Sequence, residues 1–302
     1  MRRRPFPVRA DAAERHASIG FDFAEVGGAP YWDESVCWEV SLRRIEDGIE
    51  DPTTELAALA LDLVDRVVAD EKLLARLRIP EVAWDLIAES RRRGDPSLYG
   101  RFDFSWDGKG PAKLLEYNAD TPTSLFESAV VQWVWLTDAI ERGTLPARAD
   151  QFNSIHERLI ERLKQVVRGD HLHLTGMTET QEEAGTLAYL ADCAQTAGLG
   201  ATVLDIADVG LSGARFVDLE ERPIETLFKL YPWEWLVAES FGATPPMRTT
   251  RFLEPAWKAV LSNKGAMALL WEMAPGHPNL LPTVFDDDPN RDRIGPRYAV
   301  KP

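Results

Sequence analysis

The polar side chains best suited to chemistry lie in one short stretch of the chain, residues 99–124, YGRFDFSWDGKGPAKLLEYNADTPTS. Asp103 and Glu116 offer carboxylate oxygens and Asn118 an amide oxygen, a hard donor set that suits Mg²⁺ or Mn²⁺. Arg101 suits a carboxylate or a phosphate, which a guanidinium binds through two parallel hydrogen bonds. A cation site beside an anion-binding arginine suggests phosphoryl chemistry.

A β-hairpin must position these side chains, because residues 98–118 alternate between polar and apolar around the turn DGKG. A turn centred on Gly108-Lys109 pairs Ser105 with Ala112, Asp103 with Leu114, and Arg101 with Glu116. The predicted polar face carries Arg101, Asp103, Ser105, Glu116 and Asn118, and the predicted apolar face carries Phe102, Phe104, Trp106, Leu115 and Tyr117. The pattern also fits a solvated strand face with a surface ion pair, and one bulge would change the facing residues.

The flanking sequence predicts a mixed fold of helices and short strands. Helical spacing covers residues 33–93 with a break at Asp51-Pro52-Thr53, and two further helices are expected at 124–140 and 152–167. Residues 170–209 read as strand, helix, strand, a small parallel α/β unit. After it come two short strands and a tryptophan-rich helix within 215–242, a loop at Pro245-Pro246, and a last strand in RYAVKP.

Composition excludes several function classes. The 302 residues are 45% hydrophobic, which is enough to fill a core, and 49 acidic against 34 basic side chains give a net charge of −15. That charge repels nucleic acids and anionic membranes, so neither is an expected partner. Cys37 and Cys193 lie outside any metal or redox motif and are expected to be buried thiols. The chain shows no signal peptide and no membrane-length apolar run, so a cytoplasmic location is expected.

The stretch YGRFDFSWDGKGPAKLLEYNADTPTSLFE closely resembles the glutathionylspermidine synthase family, the synthetase module with an ATP-grasp fold. The resemblance continues through GAPYWDES, LPARADQFNSIHERLI, FKLYPWEWL, EPAWKAVLSNKGAMALLWEMAPGHPNLLP and YAVKP, and so covers nearly the whole chain. It implies an α+β or α/β fold of the ATP-grasp type, with mostly antiparallel mixed sheets, flanking helices and the small α/β unit. The tryptophans of FKLYPWEWL are expected in a core or cleft wall.

The resemblance implies an ATP-dependent carboxylate–amine ligase that forms an amide through an acyl phosphate, with glutathione and a polyamine such as spermidine as the leading substrates. Asp103, Glu116 and Asn118 would be the Mg²⁺ ligands, and Arg101 would steady the transferring phosphoryl group. Lys264 and Lys301 would reach the phosphates of ATP. Charge neutralisation of this kind is what phosphoryl transfer requires.

Weaker candidates surround this set. Thr121, Thr123 and Ser124 offer hydroxyl groups near a helix start, where they could hold a substrate carboxylate or cap the helix. The resemblance places Glu182 and Glu183 near the polyamine, although acidic residues also favour a first helical turn. The histidines show no metal-ligand spacing.

The resemblance also implies a domain order: residues 1–169 as a helical layer with the hairpin, 170–245 as a substrate-domain unit, and 246–302 as the first part of the nucleotide-binding region. The family continues beyond this point, so the glycine-rich loop and the rest of the ATP-grasp sheet are expected to be missing. The chain is then either part of a longer ligase or a non-catalytic relative that binds metal or polyamine. A glycosidase using Asp103 and Glu116 as acid and base is a third and weaker alternative.

Overall fold

The computed structural model describes residues 1–289 and 291–301. Its first part contains β1 (Arg2–Pro5), α1 (Ala12–Ser18), β2 (Glu25–Val26), β3 (Ala29–Pro30), β4 (Val36–Glu39), α2 (Leu42–Ile45), α3 (Asp51–Val68), α4 (Glu71–Arg76), α5 (Glu81–Arg92), β5 (Arg101–Ser105) and β6 (Lys113–Asn118). The second part contains α6 (Gln132–Glu141), α7 (Ile155–Val166), β7 (His171–Gly176), α8 (Gln181–Thr196), β8 (Gly200–Asp205), β9 (Gly210–Ser212), β10 (Arg215–Val217), β11 (Thr226–Lys229), α9 (Trp233–Leu236), α10 (Pro246–Thr249), β12 (Arg251–Leu253), α11 (Ala259–Ser262) and α12 (Gly265–Met273). Short strands and helices alternate throughout, so the predicted mixed α/β character is confirmed.

The chain folds into two compact units that are interleaved in sequence. Unit 1 comprises Met1–Leu42 and Thr123–Leu230, and unit 2 comprises Arg43–Pro122 and Tyr231–Pro302. The domains predicted from the sequence are consecutive segments, and their functional assignment stays a prediction.

Unit 1 contains the predicted small α/β unit. Strand β7 pairs in parallel with β8 on one side and β11 on the other. Leu172 and Leu174 of β7 are fully buried, and α8 packs on β7 and β8 through Leu187 and Leu190, which are also fully buried. Leu172 and Leu174 alternate with His171 and His173 along β7, and such a period of two is a strand signal that can be recognised from sequence.

Unit 2 is built on helices, and its core supports the hairpin. Helix α3 buries Leu56, Leu63 and Val67 and packs against α4, α5 and α12. Helix α11 packs against β6, one strand of the hairpin. The predicted helical layer and the predicted hairpin therefore belong to the same unit.

Four local predictions were wrong. Residues Val36–Glu39 form β4 rather than helix, because they pair with β1 at the start of the chain. The helix does not break at Pro52, since a π-helical turn over Glu46–Glu50 leads directly into α3 and a widened turn accommodates the missing N–H of proline. Residue Pro246 begins α10 instead of lying in a loop, as proline is tolerated in a first turn.

The fourth wrong prediction is the strand in RYAVKP. Residues 297–301 are not a strand in the structure, and Pro302 lies outside the described residues. A strand exists through hydrogen bonds to a neighbour, and an apolar run by itself does not supply one.

Candidate functional site

The hairpin predicted from alternation is present as the antiparallel pair β5–β6, but its register differs by two residues from the prediction. Asp103 lies opposite Glu116, and Arg101 lies opposite Asn118. A bulge follows Asp103, and beyond it Phe104 pairs with Leu114. A shift of two preserves the side on which a side chain projects, so these four polar residues share one face as predicted.

The bulge changes which residues lie on the apolar face of the hairpin, opposite the four polar side chains. Phe102 stacks on Tyr117 with ring centroids 4.1 Å apart, as expected for the apolar face. Leu115, which was also predicted to lie there, is 40% exposed, whereas Leu114 is buried. The extra residue in β6 reverses the alternation at this point, so the prediction for Leu115 was wrong. Beyond the bulge Ser105 pairs with Lys113 and is exposed.

Two lysines from distant parts of the chain converge on Glu116. Lys264 donates to Oε2 of this carboxylate at 3.0 Å, and Lys301 donates to the same oxygen at 2.6 Å. The ammonium groups of Lys301 and Lys264 lower the pKa of Glu116 to about 2. Both lysines that the family resemblance singled out therefore contact one predicted metal ligand.

Asp103 is bound by the arginine of the same strand. Arg101 donates from Nε to Oδ1 at 2.7 Å and from Nη2 to Oδ2 at 3.1 Å. The amide of Asn118 donates to Oδ2 of Asp103 at 3.2 Å and to Oε1 of Glu116 at 3.1 Å. One donor group thus lies between the two carboxylates. Both side chains are about one-quarter to one-third exposed, so the oxygens remain accessible.

The donor set fits a hard divalent cation. The Asn118 amide lies between two carboxylates, a position where positive charge is favoured. Rotation of that amide by half a turn would present its oxygen, in place of its N–H₂ group, to a bound cation. Within residues 1–289 and 291–301, no group of three or more His, Cys, Asp or Glu side chains is arranged to hold a metal. A site with few protein ligands suits Mg²⁺, because this ion keeps several water ligands and binds one or two protein carboxylates.

The weaker candidates divide between the units. Thr121 belongs to unit 2, whereas Thr123, Ser124, Glu182 and Glu183 belong to unit 1. Ser124 has a φ of 62° and its carbonyl accepts a hydrogen bond from the Ser128 hydroxyl at 2.8 Å. Glu183 accepts the backbone N–H of Met177 at 2.8 Å, and burial raises its pKa.

Sequence reasoning missed the residues that fasten the ends of the hairpin. Asp120, just beyond β6, is 2% exposed and accepts the backbone N–H of Trp233 at 2.8 Å. The start of β5 is bound by a buried ion pair between Glu254 and Lys258. The only signal in the sequence was the spacing of Glu254 and Lys258, an acidic and a basic residue four apart in the motif EPAWK. The same spacing is common on ordinary surface helices, so it did not single out this pair.

The remaining sequence expectations have mixed outcomes. Cys193 is buried, and burial raises its thiol pKa to about 11, whereas Cys37 is half-buried. Trp233 is buried as expected of a core residue, but Trp235 is 52% exposed.

His173 contacts Asp218 at 3.2 Å. No helix among the described residues is both long and apolar enough to cross a membrane.

Residues 3–302 match the family model described as glutathionylspermidine synthase preATP-grasp. The chain is 44% identical over 290 residues to a Haemophilus influenzae protein named "Putative acid–amine ligase", covering 93% of this chain and 72% of that protein. It is 27% identical to the bifunctional glutathionylspermidine synthetase/amidase of Escherichia coli, covering 83% of this chain and 43% of that enzyme. It is 22% identical to the trypanothione synthetase of Crithidia fasciculata, covering 82% of this chain and 41% of that enzyme.

Proposed function

Because the chain belongs to the glutathionylspermidine synthase family, we propose that it carries the metal- and phosphate-binding hairpin of an ATP-dependent ligase that joins an acid to an amine. The family resemblance read from the motifs is confirmed, and so is the enzyme class of the family, a ligase. The chain spans less than half of the E. coli and C. fasciculata enzymes, so the activity of the whole protein is part of the proposal.

One observation carries the proposal: Lys264 and Lys301 meet on a single oxygen of Glu116, which faces Asp103 directly across the strand pair. Opposed like charges destabilise a strand pair unless cations compensate them. In this site Arg101 and the two lysines supply that compensation. The same cations are the groups that a polyphosphate requires, and a metal ion would then compensate the carboxylates.

The residues receive the following roles. Asp103, Glu116 and Asn118 would hold Mg²⁺, with Mn²⁺ as the alternative, and the bound metal would neutralise charge on the phosphate oxygens of ATP. Lys264 and Lys301 would exchange the Glu116 carboxylate for the phosphates of ATP. Arg101 would hold the phosphoryl group as it passes to the substrate carboxylate, using the two N–H groups that now bind Asp103.

The substrate pair is proposed from the names of the relatives. Glutathione and a polyamine such as spermidine are the leading acid and amine, because three relatives are named for glutathionylspermidine synthesis. Thr121, Thr123 and Ser124 are proposed contacts for the acid, and Glu182 and Glu183 for the polyamine. The ATP-grasp architecture, with residues 246–302 as the start of its nucleotide-binding region, belongs to the same proposal. Ligands of this kind call for no nucleic acid or membrane partner.

The test is acid- and amine-dependent release of ADP. The protein is incubated with ATP, Mg²⁺, glutathione and spermidine, and ADP and the amide product are quantified, with each substrate omitted in turn. Product formation that requires all four components would support the proposal. ATP and Mg²⁺ binding by calorimetry without turnover on any acid–amine pair would favour the alternative, a non-catalytic relative that binds metal or polyamine. Full activity in EDTA would contradict the proposed metal site.

A further inference from the structure

A buried ion pair lies directly beneath the start of the hairpin. Glu254 follows β12 and is 0% exposed, and Lys258, which ends a short 3₁₀ turn, is 1% exposed. The two side chains meet at 2.7 Å between Nζ and Oε2. Removing two charges from water is costly, and well-packed apolar side chains would often be equally stable there. A buried pair is therefore weak evidence of a stabilising role and invites another explanation.

Both side chains of the pair also form hydrogen bonds to the backbone just ahead of β5. Oε1 of Glu254 accepts the N–H of Leu98 at 3.0 Å and the N–H of Tyr99 at 2.9 Å. Lys258 donates to the carbonyl of Tyr99 at 2.6 Å. The carboxylate binds N–H groups of this segment and the ammonium binds a C=O group. Together they fix the orientation of its peptide groups.

An aromatic ring also packs against the same segment. A Cβ atom on Gly100 would lie 2.7 Å from the ring of Tyr117, so the ring packs directly on this glycine. Tyr117 also stacks on Phe102, the residue after Arg101. The backbone that leads into Arg101 is thus contacted both by the buried ion pair and by the aromatic face of the hairpin.

The part that carries the ion pair is itself fixed within unit 2. The indole of Trp257 donates to the carbonyl of Asp95 at 2.9 Å, and α5 packs against the 3₁₀ turn Ala256–Lys258. The indole of Trp233 donates to the carbonyl of Glu254 at 3.1 Å. Any displacement of the pair would have to move several packed aromatic side chains, so the pair provides a rigid reference point.

We propose that Glu254 and Lys258 are positioning residues, which act through the Leu98–Gly100 backbone to hold Arg101 in the orientation required for phosphoryl transfer. The inference rests on the function proposed above. The two side chains bind the backbone of Leu98 and Tyr99, which leads directly into Arg101, so their effect on the site would pass through Arg101. Errors of about 1 Å in the position of such a group are expected to reduce turnover about a hundredfold.

A double-mutant cycle tests this role. Glu254→Gln keeps the shape of the side chain and one acceptor oxygen but removes the charge that Lys258 requires. We expect kcat to fall about tenfold to a hundredfold. The KM for ATP should stay nearly unchanged, because a misplaced Arg101 stabilises the transition state less but does not weaken ATP binding. In the Arg101→Ala background, Glu254→Gln should cause no further loss, since its effect passes through Arg101. Full kcat in a folded Glu254→Gln variant, or additive losses, would overturn the inference.

Glu34→Gln is the matched control, because Glu34 forms a comparably buried pair with Arg9 in unit 1. It should lower the melting temperature to a similar degree and leave kcat unchanged. Equal loss of kcat in both variants would show a general stability effect and would also overturn the inference.

A second set of measurements does not depend on ligase activity. In the wild-type protein, the amide protons of Leu98 and Tyr99 should exchange with solvent as slowly as those of the buried strand β7. Rapid exchange at Leu98 and Tyr99 would overturn the inference. The positioning of Arg101 can be supported even if no acid–amine pair supports turnover. Protected amides at Leu98 and Tyr99, together with a shift of the Arg101 Nε–H signal in Glu254→Gln, would support it. In that case only the proposed function would fail.

Discussion

Asp103 and Glu116 lie directly opposite each other on neighbouring antiparallel strands, and the amide of Asn118 hydrogen-bonds to both carboxylates. This opposition of like charges is compatible with a stable hairpin because cationic side chains contact both carboxylates. The polar face can accept a cation between the carboxylates, and it has cationic groups available for phosphate.

Replacement of either carboxylate should abolish Mg²⁺-dependent turnover while leaving the fold nearly intact. Asp103→Asn and Glu116→Gln each remove one charged oxygen donor, and we expect losses in kcat of about a hundredfold or more. Both side chains are partly exposed on the face opposite the aromatic packing, so both variants should fold, and the melting temperature of Asp103→Asn should change little. ADP release and thermal unfolding monitored by circular dichroism provide the two measurements.

Asp65→Asn is the control for these variants, because Asp65 accepts two hydrogen bonds from Arg91 at 2.6 and 2.7 Å in an arrangement like that of Asp103 and Arg101. It should leave turnover unchanged. A large loss of thermal stability in Asp103→Asn, with turnover per folded molecule preserved, would show that the carboxylate is structural.

Glu116 should remain ionised to unusually low pH. Its folded-state pKa of about 2 lies below the ordinary value of 4.5, so its ion pairs contribute to stability fully above pH 4.5. This contribution is lost as the pH falls through about 2. Lys301→Met removes the largest cause and should raise the pKa of Glu116, which ¹³C NMR titration of the side-chain carboxyl would measure.

Lys109→Met, an exposed lysine in the turn of the same hairpin, is the matched control and should leave the titration of Glu116 unchanged. An unchanged titration in Lys301→Met as well would contradict the convergence of the two lysines on Glu116.

Gly100→Ala should damage the site by steric overlap. The added Cβ would meet the Tyr117 ring at 2.7 Å, so either the ring or the backbone ahead of Arg101 must shift. Overpacking of this kind costs about 1–3 kcal/mol of folding free energy, and turnover should fall further through displacement of Arg101. Urea unfolding and ADP release are the measurements.

Gly110→Ala in the same hairpin provides the comparison, because a Cβ there has no neighbouring atom within 4 Å. Its folding free energy and turnover should stay close to wild type. Equal behaviour of the two alanine variants would show that the contact between Gly100 and Tyr117 is unimportant.

Arg9→Met should strongly destabilise unit 1. The Arg9 side chain is 4% exposed and pairs with Glu34 at 2.5 Å and Asp138 at 2.5 Å, both of which are also buried. Loss of Arg9 leaves two buried carboxylates with weaker compensation, from His16 for Glu34 and from Arg15 for Asp138. Breaking a buried pair in this way costs about 3–5 kcal/mol. Arg43→Met, which removes an exposed i,i+4 pair with Asp47, should change the free energy of unfolding by less than about 0.5 kcal/mol. Similar values for the two variants in urea unfolding would contradict the buried network.

The sequence alone determined the elements whose signals are local. Alternation between polar and apolar residues is a property of one strand, and it correctly grouped Arg101, Asp103, Glu116 and Asn118 on one face of the hairpin. The alternation of leucine and histidine in β7 and the helical period of α8 identified the small α/β unit in the same way. The motif resemblance added the family, because long motifs in a constant order are specific where single residues are not.

Only the tertiary structure decided how distant segments meet. The bulge after Asp103 set the register and exposed Leu115, and the pairing of β4 with β1 overrode a helical pattern. Lys264 and Lys301 reach the same oxygen of Glu116, and Glu254 and Lys258 hold the backbone ahead of Arg101. Such contacts join segments far apart in the chain, and their geometry depends on the packing of everything between them. No local period in the sequence encodes that geometry.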